Sequence, residues 1–305
     1  MRYKKIPNTN LEVSVIALGA WAFGKENWGD ISDAQCIDVV SACIDCGINL
    51  IDTAPIYGYG KSEEIVGKAI RGRREKFIIS TKCGLKGKGA AIRPDLQADS
   101  IKNEIEESLK RLKIDYIDIY HCHHPDPNTP IEETIGQMNK LKQEGKIKYI
   151  AVSNFDIDLL KKASQLGNIV FSQSHYSLLE RSIEDKIIPY CKEKGIFILS
   201  YGSLGGGILS GKYTKPAAFK GPDARSFFYK YYDEKGFAKA SKIADKVKQV
   251  AAKINKPPAE VALNWICLKD FVASAIVGCK TVEQVRQNAQ AGAWQLSQED
   301  IEMLK

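Results

Sequence analysis

Four ionisable side chains stand at or just beyond the ends of predicted β-strands. Asp52, Lys82 and His123 lie at the ends of short apolar segments, and Tyr57 follows Asp52 in a loop. In a barrel of parallel strands the carboxyl ends of all strands meet at one face, where catalytic sites form. A single Asp, Lys or Tyr at a strand end is more often a surface charge or a packing residue. Several ionisable residues directed at one mouth instead predict a catalytic site.

The elements that would position these residues follow a regular pattern. β-branched or apolar segments alternate with amphipathic helical segments, which is typical of βα units and a parallel sheet. Eight strands are predicted, at residues 15–20, 50–54, 77–82, 116–123, 147–153, 170–176, 196–202 and 272–278. Helical spacing is seen between them, for example in Ile101, Ile105, Leu109 and Leu112. The predicted fold class is therefore α/β, a (β/α)₈ TIM barrel.

Signals for helix ends support this division. Ser32 with Gln35 and Thr281 with Gln284 match the capping-box pattern. Pro258 suits the first turn of a helix. Glycines that would end helices in the left-handed conformation precede four strands, at Gly47, Gly145, Gly167 and Gly195.

No Gly-rich or Pro-rich linker divides the chain, so we predict a single domain over residues 1–305. The first ten or so residues are expected to form a β-hairpin that plugs the barrel floor. A long loop runs from Ser203 to about Gly236, after strand seven and on the catalytic face. Its aromatic cluster at residues 227–232 fits a lid over substrate and simple packing equally well.

Composition and charge exclude several classes of protein. The net charge of +7 comes from interspersed Lys, Arg, Asp and Glu, which favours a solvated surface over nucleic-acid binding. The N-terminus is charged and no long apolar run follows. We therefore predict no signal peptide and no membrane span, and expect a cytoplasmic protein. The eight scattered cysteines favour buried free thiols, and the CxxC formed by Cys43 and Cys46 favours core packing.

A metal site is not expected either. His121, Cys122, His123 and His124 form a suggestive string, but only alternate strand residues share a face, and His175 is the one other histidine in the sequence. His121 is expected to pack within the barrel.

A family resemblance rests on several segments in chain order. DTAPIYGYGKSEE at 52–64, STKCG at 80–84, YIDIYHCHHPDP at 116–127, AVSNF at 151–155, QSHYSLLER at 173–181, ILSYGSLGGGILSGKY at 198–213 and IVGCKTVEQVRQN at 276–288 resemble the signature segments of the aldo-keto reductases. The similarity covers essentially the whole chain and indicates the subgroup with bacterial general reductases and potassium-channel β subunits. Two departures are IPNTN at 6–10, which lacks the usual hairpin glycines, and Gly202-Ser203, where a Ser-Pro pair is common.

The resemblance implies a catalytic tetrad of Asp52, Tyr57, Lys82 and His123. Tyrosine has a pKa near 10, so proton transfer near neutral pH requires that its anion be stabilised. We expect the Lys82 ammonium to stabilise the anion and Asp52 to keep that ammonium charged and oriented. His123 would polarise the substrate carbonyl or relay a proton, and both roles stay open.

No side chain can supply a hydride, so a nicotinamide cofactor is implied. By the resemblance, Ser153, Asn154 and Gln173 bind its carboxamide, Tyr201 stacks on its ring, and Asp52 lies near the ribose. Small residues after strand seven would let backbone amides approach the pyrophosphate. By the resemblance, Lys212 and Arg225 contact the cofactor phosphates, and a solvated loop charge is the alternative for Arg225. Trp21 would line the substrate pocket beside the cofactor or pack in the core. The remaining candidates on this side are Ala20, Gly202, Ser203, Leu204 and Gly205.

The adenosine end of the cofactor is expected at the start of the last barrel helix. The matching residues are Gly278, Lys280, Thr281, Gln284, Gln287 and Asn288. A helix N-terminus favours an anion, and Lys280 adds a full charge where a 2′-phosphate would bind. NADP(H) is thereby favoured, and NAD(H) use stays open.

These residues predict an NADP(H)-dependent oxidoreductase that reversibly reduces aldehydes or ketones to alcohols, with the proton coming from Tyr57. Its partner is a small carbonyl or alcohol substrate. One rival is a nicotinamide-binding regulatory or redox-sensor subunit with little turnover. The other is a metal-assisted barrel hydrolase, which would need ligands at several strand ends, where only His123 and Asp52 are suitably placed.

Overall fold

Strands and helices alternate along the chain. The computed structural model describes residues 1–217, 219 and 223–305, so part of the predicted long loop, at 218 and 220–222, lies outside the described residues. The strands are β1 (Tyr3–Lys5), β2 (Glu12–Ser14), β3 (Ile16–Gly19), β4 (Leu50–Asp52), β5 (Ile78–Cys83), β6 (Leu85–Lys86), β7 (Arg93–Pro94), β8 (Ile117–Cys122), β9 (Ile147–Ser153), β10 (Ile169–His175), β11 (Phe197–Tyr201) and β12 (Val272–Gly278).

Helices follow most of these strands, and several turns are short 3-10 helices. The α-helices are α1 (Asp33–Asp45), α2 (Lys61–Ala69), α3 (Ala98–Leu112), α4 (Ile131–Gln143), α5 (Ile157–Leu166), α6 (Ile187–Lys194), α7 (Ala224–Phe228), α8 (Glu234–Lys253), α9 (Pro258–Cys267), α10 (Val282–Gln290) and α11 (Gln298–Met303). The 3-10 helices are Trp21–Gly24, Arg74–Lys76, Gly89–Ala91, Ser182–Glu184 and Gly205–Ser210.

Eight parallel strands close into a barrel within the described residues, in the order β3-β4-β5-β8-β9-β10-β11-β12. The ring closes where β12 pairs with β3, with Ala275 opposite Ile16 and Gly278 opposite Gly19. Each barrel strand coincides with a predicted one, so the predicted (β/α)₈ barrel is confirmed. The short antiparallel pair of β6 and β7 is an insertion directly after β5.

The predicted N-terminal hairpin is present and plugs the barrel. β1 and β2 pair antiparallel. Ile6, Leu11 and Val13 of the hairpin join one buried apolar cluster with Leu50 and Ile119 from the barrel strands. The hairpin closes the barrel floor despite the lack of glycines in residues 6–10.

A larger apolar core fills the space between the barrel and its helices. On α3, Ile101, Ile105 and Leu112 are fully buried, as their helical spacing predicts. Cys43 is also fully buried and Cys46 is half-buried at the end of α1, consistent with a packing role. No helix among the described residues is both long enough and apolar enough to cross a membrane.

Most of the predicted helix ends are confirmed, and two are corrected. The Ser32 capping box is complete. Thr281 caps α10 through the Gln284 amide, but the Gln284 side chain accepts from the Lys280 amide at 2.7 Å instead of the Thr281 amide. Gly167 is extended at φ −156° and not left-handed. A Cβ there would lie 2.7 Å from Ile135 Cγ2, so close packing on α4 explains the glycine. The other three predicted helix-ending glycines, Gly47, Gly145 and Gly195, are left-handed.

Candidate active site

A buried ion pair joins the ends of β4 and β5 at the catalytic face. Lys82 Nζ lies 2.7 Å from Asp52 Oδ2 and donates to the Thr53 carbonyl at 2.8 Å. Lys82 is fully buried and Asp52 is 4% exposed. Two charges held away from water are tolerated only when they are paired and hydrogen-bonded. The parallel register of neighbouring strands therefore fixes this lysine and this carboxylate as one unit.

The other Asp52 oxygen completes a buried polar layer across the barrel. Asp52 Oδ1 accepts from Ser80 Oγ at 2.8 Å and from Gln173 Nε2 at 2.9 Å. Because the Ser80 proton points to the carboxylate, His121 Nε2, 3.0 Å from Ser80 Oγ, is the donor to that hydroxyl oxygen. Burial lowers the pKa of His121 to about 3, so its imidazole is neutral. The prediction that His121 packs within the barrel is confirmed.

Tyr57 stands above this layer in the loop between β4 and α2. The loop is held by a close backbone crossing, because a Cβ on Gly58 would lie 2.2 Å from the Gly24 carbonyl oxygen, and Gly58 has φ +61°. Lys82 Nζ lies 5.2 Å from the centroid of the Tyr57 ring. The His123 ring contacts the Tyr57 ring edge-on, with the two ring centroids 6.0 Å apart. The structure thus brings all four predicted tetrad residues together.

The electrostatics differ from the expectation on one point. Burial, with the charge of Asp52 second, raises the pKa of Tyr57 well above its usual value, whereas we expected Lys82 to stabilise the phenolate. The Lys82 ammonium lies 5.2 Å from the centroid of the Tyr57 ring and is paired with Asp52 at 2.7 Å, and it does not offset the effect of burial on the phenol. Burial also lowers the pKa of Lys82, against the opposing effect of Asp52. Tyr57 therefore stays a neutral phenol, the form that can give a proton.

His123 completes this arrangement as an uncharged group. It is 9% exposed, and burial lowers its pKa well below the usual range, with the Lys82 charge acting in the same direction. A neutral imidazole beside a neutral phenol gives the mouth two hydrogen-bonding groups and no net charge. Among the described residues, no group of three or more His, Cys, Asp and Glu side chains is arranged to hold a metal ion.

The residues expected to bind a carboxamide form one hydrogen-bonded group beside the tetrad. Asn154 Nδ2 donates to the His123 carbonyl at 2.9 Å, and Asn154 Oδ1 accepts from Tyr201 Oη at 2.7 Å. Ser153 Oγ donates to the Gln173 carbonyl at 3.1 Å. Asn154 has φ +62°, a conformation that asparagine tolerates better than most residues, and this turns its amide over the barrel mouth. The three predicted carboxamide contacts are therefore adjacent to one another and to Tyr201, the predicted ring-stacking residue.

The glycine-rich segment after β11 turns sharply beside this group. Gly202, Gly205, Gly206 and Gly207 all have positive φ, between +55° and +107°. Buried Ser203 anchors the turn by donating to the Ile276 carbonyl of β12 at 2.9 Å. Leu204 and Gly205 begin the 3-10 helix that follows. This backbone can expose amides to a ligand without side chains in the way.

The two basic residues of the long loop differ from each other. Lys212 is exposed, with its Nζ 4.8 Å from the Tyr213 ring centroid. Arg225 is paired with Asp223 at 2.6 Å, donates to Tyr213 Oη at 2.8 Å and lies over the Phe219 ring at 4.4 Å. Arg225 therefore has partners within the loop and helps to pack it. Any contact of Arg225 with a cofactor phosphate would be additional to this packing role.

Residues at the start of α10 are also engaged within the protein. The half-buried Lys280 ammonium donates to the Trp28 carbonyl, which joins α10 to the loop after β3. Burial lowers the pKa of Lys280. Asn288 is buried and donates to Cys279 Sγ at 3.3 Å. The more accessible positions of this group are exposed Gly278, exposed Gln284 and half-buried Gln287.

Aromatic rings surround the mouth at the ends of β3 and α7. Trp21 follows buried Ala20 and stacks on Tyr57 at 5.6 Å. It meets Trp28 and Phe228 edge-on, each at 5.1 Å. Sequence reasoning missed Trp28, which no pattern marks. It also missed Ser80, although its place two residues before Lys82 puts both side chains on the inner face of the strand.

The aromatic cluster of the long loop, residues 227–232, was expected either to cover the substrate or to pack the loop, and its members differ in position. Tyr229 and Tyr232 are buried in a small core with Ile208. Phe227 is 67% exposed, and Phe228 reaches Trp21 over the mouth. Tyr229 and Tyr232 therefore have a packing role, whereas Phe228 lies at the mouth of the barrel.

The described residues fit a nicotinamide dinucleotide. At the closure between β12 and β3, Gly19 pairs with Gly278, so neither strand carries a side chain at this position. Asn154 Nδ2 donates to Ser153 Oγ at 3.1 Å beside the tetrad, and Lys280 carries an ammonium just before α10. This donor set suits a carboxamide at one end and a phosphate at the other.

Comparison with known proteins agrees with this geometry. The model of the Aldo/keto reductase family matches residues 15–305. The chain belongs to the aldo-keto reductase family. Aldo-keto reductases use nicotinamide cofactors for carbonyl–alcohol interconversion, and the family's structural neighbours share the closed barrel.

Individual aldo-keto reductases match over nearly their full length. Aldo-keto reductase YhdN of Bacillus subtilis is 38% identical over 302 residues, covering 98% of this chain and 91% of YhdN. An NADH-specific methylglyoxal reductase of Escherichia coli is 35% identical, covering 99% and 97%. The structure of a glycerol dehydrogenase from Gluconobacter oxydans superposes with a TM-score of 0.90 at 33% identity, covering 99% and 93%.

Proposed function

We propose that this aldo-keto reductase is an NADP(H)-dependent enzyme that reversibly reduces aldehydes or ketones to alcohols, with Tyr57 as the proton donor. The observation that carries the proposal is the buried Lys82–Asp52 pair beneath the Tyr57 ring, with neutral His123 at its edge. One ionisable phenol above a fixed ion pair suits proton transfer better than ligand binding alone.

The chain's own residues divide the work. Tyr57 holds its proton on Oη and releases it to the substrate oxygen as negative charge develops there. His123, neutral and beside Tyr57, orients the carbonyl by a hydrogen bond to the same oxygen. Lys82 and Asp52 fix the electrostatic environment of the phenol. The reduced nicotinamide, when bound, supplies the hydride.

Cofactor choice is proposed to favour NADP(H) through Lys280. A half-buried ammonium at the start of α10 can exchange its Trp28 carbonyl for a stronger phosphate acceptor. Of the two loop cations expected at the cofactor phosphates, Arg225 is paired with Asp223 and Lys212 is exposed. Because the E. coli relative is named as NADH-specific, affinity for both cofactors is a property to measure.

The test is Tyr57→Phe, followed by NADPH oxidation with a panel of aldehydes, ketones and sugars. We expect turnover to fall by about a hundredfold to ten-thousandfold, because the variant lacks the transferable proton. NADPH affinity, measured by fluorescence titration, should change by less than about threefold, because the hydroxyl acts in the transition state.

Tyr59→Phe is the matched control. Tyr59 lies two residues along the same loop, is 38% exposed, and its hydroxyl accepts only from the Gly89 amide among the described residues. This variant should keep the turnover of the unmodified chain. Near-normal turnover in Tyr57→Phe would contradict the proposal.

A further inference from the structure

Two aromatic rings stack where β10 and β11 end. The register pairs His175 with Tyr201, and each is the last residue of its strand. Their ring centroids lie 5.2 Å apart and their planes are inclined by only 14°. Tyr229 of the long loop contacts the same imidazole edge-on at 5.8 Å. His175 therefore packs between the predicted nicotinamide-stacking residue and the long loop.

A missing side chain makes room for this imidazole. Gly202 has φ +67°, and a Cβ there would lie 2.5 Å from both Cδ2 and Nε2 of His175. Real Cβ atoms essentially never approach so closely, and either the ring or the backbone would have to move. Gly202 and His175 thus form a complementary pair.

Shape, and not hydrogen bonding, fixes this histidine. His175 Nε2 is buried and has no hydrogen-bond partner among the described residues. Burial lowers the pKa of the His175 imidazole, which keeps the ring uncharged. An uncharged planar ring packed face to face can hold the tilt of its neighbour through contact alone.

The tilt of Tyr201 affects the rest of the site through two hydrogen bonds. Tyr201 Oη donates to Asn154 Oδ1 at 2.7 Å. The same amide donates from Nδ2 to the His123 carbonyl at 2.9 Å. A displaced Tyr201 ring would therefore move the Asn154 amide as well as the aromatic surface.

We propose that His175 is a positioning residue whose imidazole, admitted by the absence of a side chain at Gly202, sets the orientation of Tyr201 and of the Asn154 amide toward the nicotinamide half of the cofactor. This inference rests on the proposed function, because it takes Tyr201 and Asn154 as the seat of that half. It assigns no contact with the reacting atoms to His175 itself.

The first experiment compares His175→Ala, His175→Leu and His175→Phe in titrations with NADPH and NADH, followed by protein tryptophan fluorescence and by the emission of bound NADPH. Loss of the stack should weaken both cofactors about three- to tenfold in the Ala and Leu variants, equally because both share the nicotinamide. His175→Phe keeps a planar ring and should bind within about twofold of the original chain. Phe227→Ala, which removes an exposed ring from the same loop region, should bind normally.

The second experiment uses the Gly202 contact. Gly202→Ala should weaken cofactor binding more than His175→Ala does, because the new methyl group displaces the imidazole. The double variant Gly202→Ala/His175→Ala should bind as well as His175→Ala alone, because no ring remains to be displaced. The left-handed backbone strain is the same in both alanine-202 variants, so their thermal midpoints separate stability from positioning.

Several results would overturn this inference. They are normal cofactor binding and normal NADPH emission in His175→Ala, equal losses in His175→Phe and His175→Leu, or additive losses in the double variant. If Tyr57→Phe is inactive while His175→Ala binds normally, only the positioning role fails. If Tyr57→Phe stays active while His175→Ala binds weakly, the proposed function fails and the positioning role remains.

Discussion

Charged side chains have different partners at the ends of the barrel strands and in the two loops proposed to contact the cofactor phosphates, around Arg225 and Lys280. Lys82 and Asp52 are almost completely buried and paired across neighbouring strands. Arg225 and Lys280 are half-buried, and their partners are the loop residues Asp223 and Trp28. In the first region sheet register decides which groups meet, whereas in the second region the folded course of the loops decides.

Under the proposed function, this difference separates catalysis at the strand ends from cofactor selection in the loops. The buried pair cannot change partners without leaving a charge alone in the core. A loop cation can exchange a carbonyl or carboxylate for a phosphate at small cost, because both states are hydrogen-bonded and partly solvated. We therefore expect large, unconditional effects from substitutions at the strand ends and smaller, cofactor-dependent effects from substitutions in the loops.

The largest effect is expected for Lys82→Met. Asp52 would be left as an unpaired buried carboxylate, which should lower the free energy of unfolding by about 3 kcal/mol. The kcat/KM for carbonyl reduction should fall at least about a hundredfold, because the phenol loses its fixed electrostatic environment. Chemical denaturation and NADPH oxidation measure the two quantities.

The double variant Lys82→Met/Asp52→Asn separates the effect on stability from the effect on kcat/KM. Neutralising the carboxylate should recover much of the stability and none of the turnover. A Lys82→Met protein with unchanged stability and unchanged kcat/KM would remove the contrast between the two regions.

An intermediate effect is expected for Lys280→Ala. A charge-assisted hydrogen bond to phosphate contributes on the order of 1.5 to 3 kcal/mol, so NADPH should bind about ten- to a hundredfold more weakly, with NADH little changed. The preference of the original chain for NADPH should also shrink as salt is raised. Lys246→Ala, an exposed charge on α8, is the control in the same titrations. Equal losses of affinity for NADPH and NADH would mean that Lys280 does not bind the 2′-phosphate and only stabilises the loop after β3 through the Trp28 carbonyl.

The smallest effect is expected for Arg225→Lys, which keeps the charge but loses the planar group that pairs with Asp223 and covers Phe219. Partly exposed pairs contribute up to about 1 kcal/mol, so both cofactors should bind up to about fivefold more weakly and by the same factor. A loss confined to NADPH, measured by the same titrations, would move Arg225 from loop packing to phosphate recognition.

The same contrast explains what could be predicted from the sequence. Barrel strands are short apolar segments between turn signals, and inner-face residues recur with period two. Ser80 and Lys82 could therefore be assigned to one face before any contact was known. Asp52, Lys82 and Ser153 lie at strand ends, and their neighbours follow from strand order, whereas Tyr57 lies in a loop.

The hydrogen-bond partners of loop residues and the pKa values of buried groups cannot be derived from the spacing of residues in the sequence. The Lys280 contact with Trp28 joins residues far apart in sequence. Gln284 accepts from the Lys280 amide, one residue before the helix cap Thr281, and the capping pattern does not encode that choice of donor. The raised pKa of Tyr57 depends on its burial and on its distance from the Asp52 charge, which only the folded structure reveals.

The closure between β12 and β3 also bears on the order in which the protein folds. Asp52 and Lys82 lie on adjacent strands close in sequence, so their pairing requires only a short loop to close. The contact of Gly19 with Gly278 joins nearly the two ends of the chain and must wait until the last barrel strand has been synthesised. Under the proposed function, the catalytic pair can thus form on a growing chain, whereas the proposed cofactor-binding face is complete only once the ring has closed. We expect a nascent or truncated chain that lacks β12 to carry the proposed catalytic residues without a complete cofactor site.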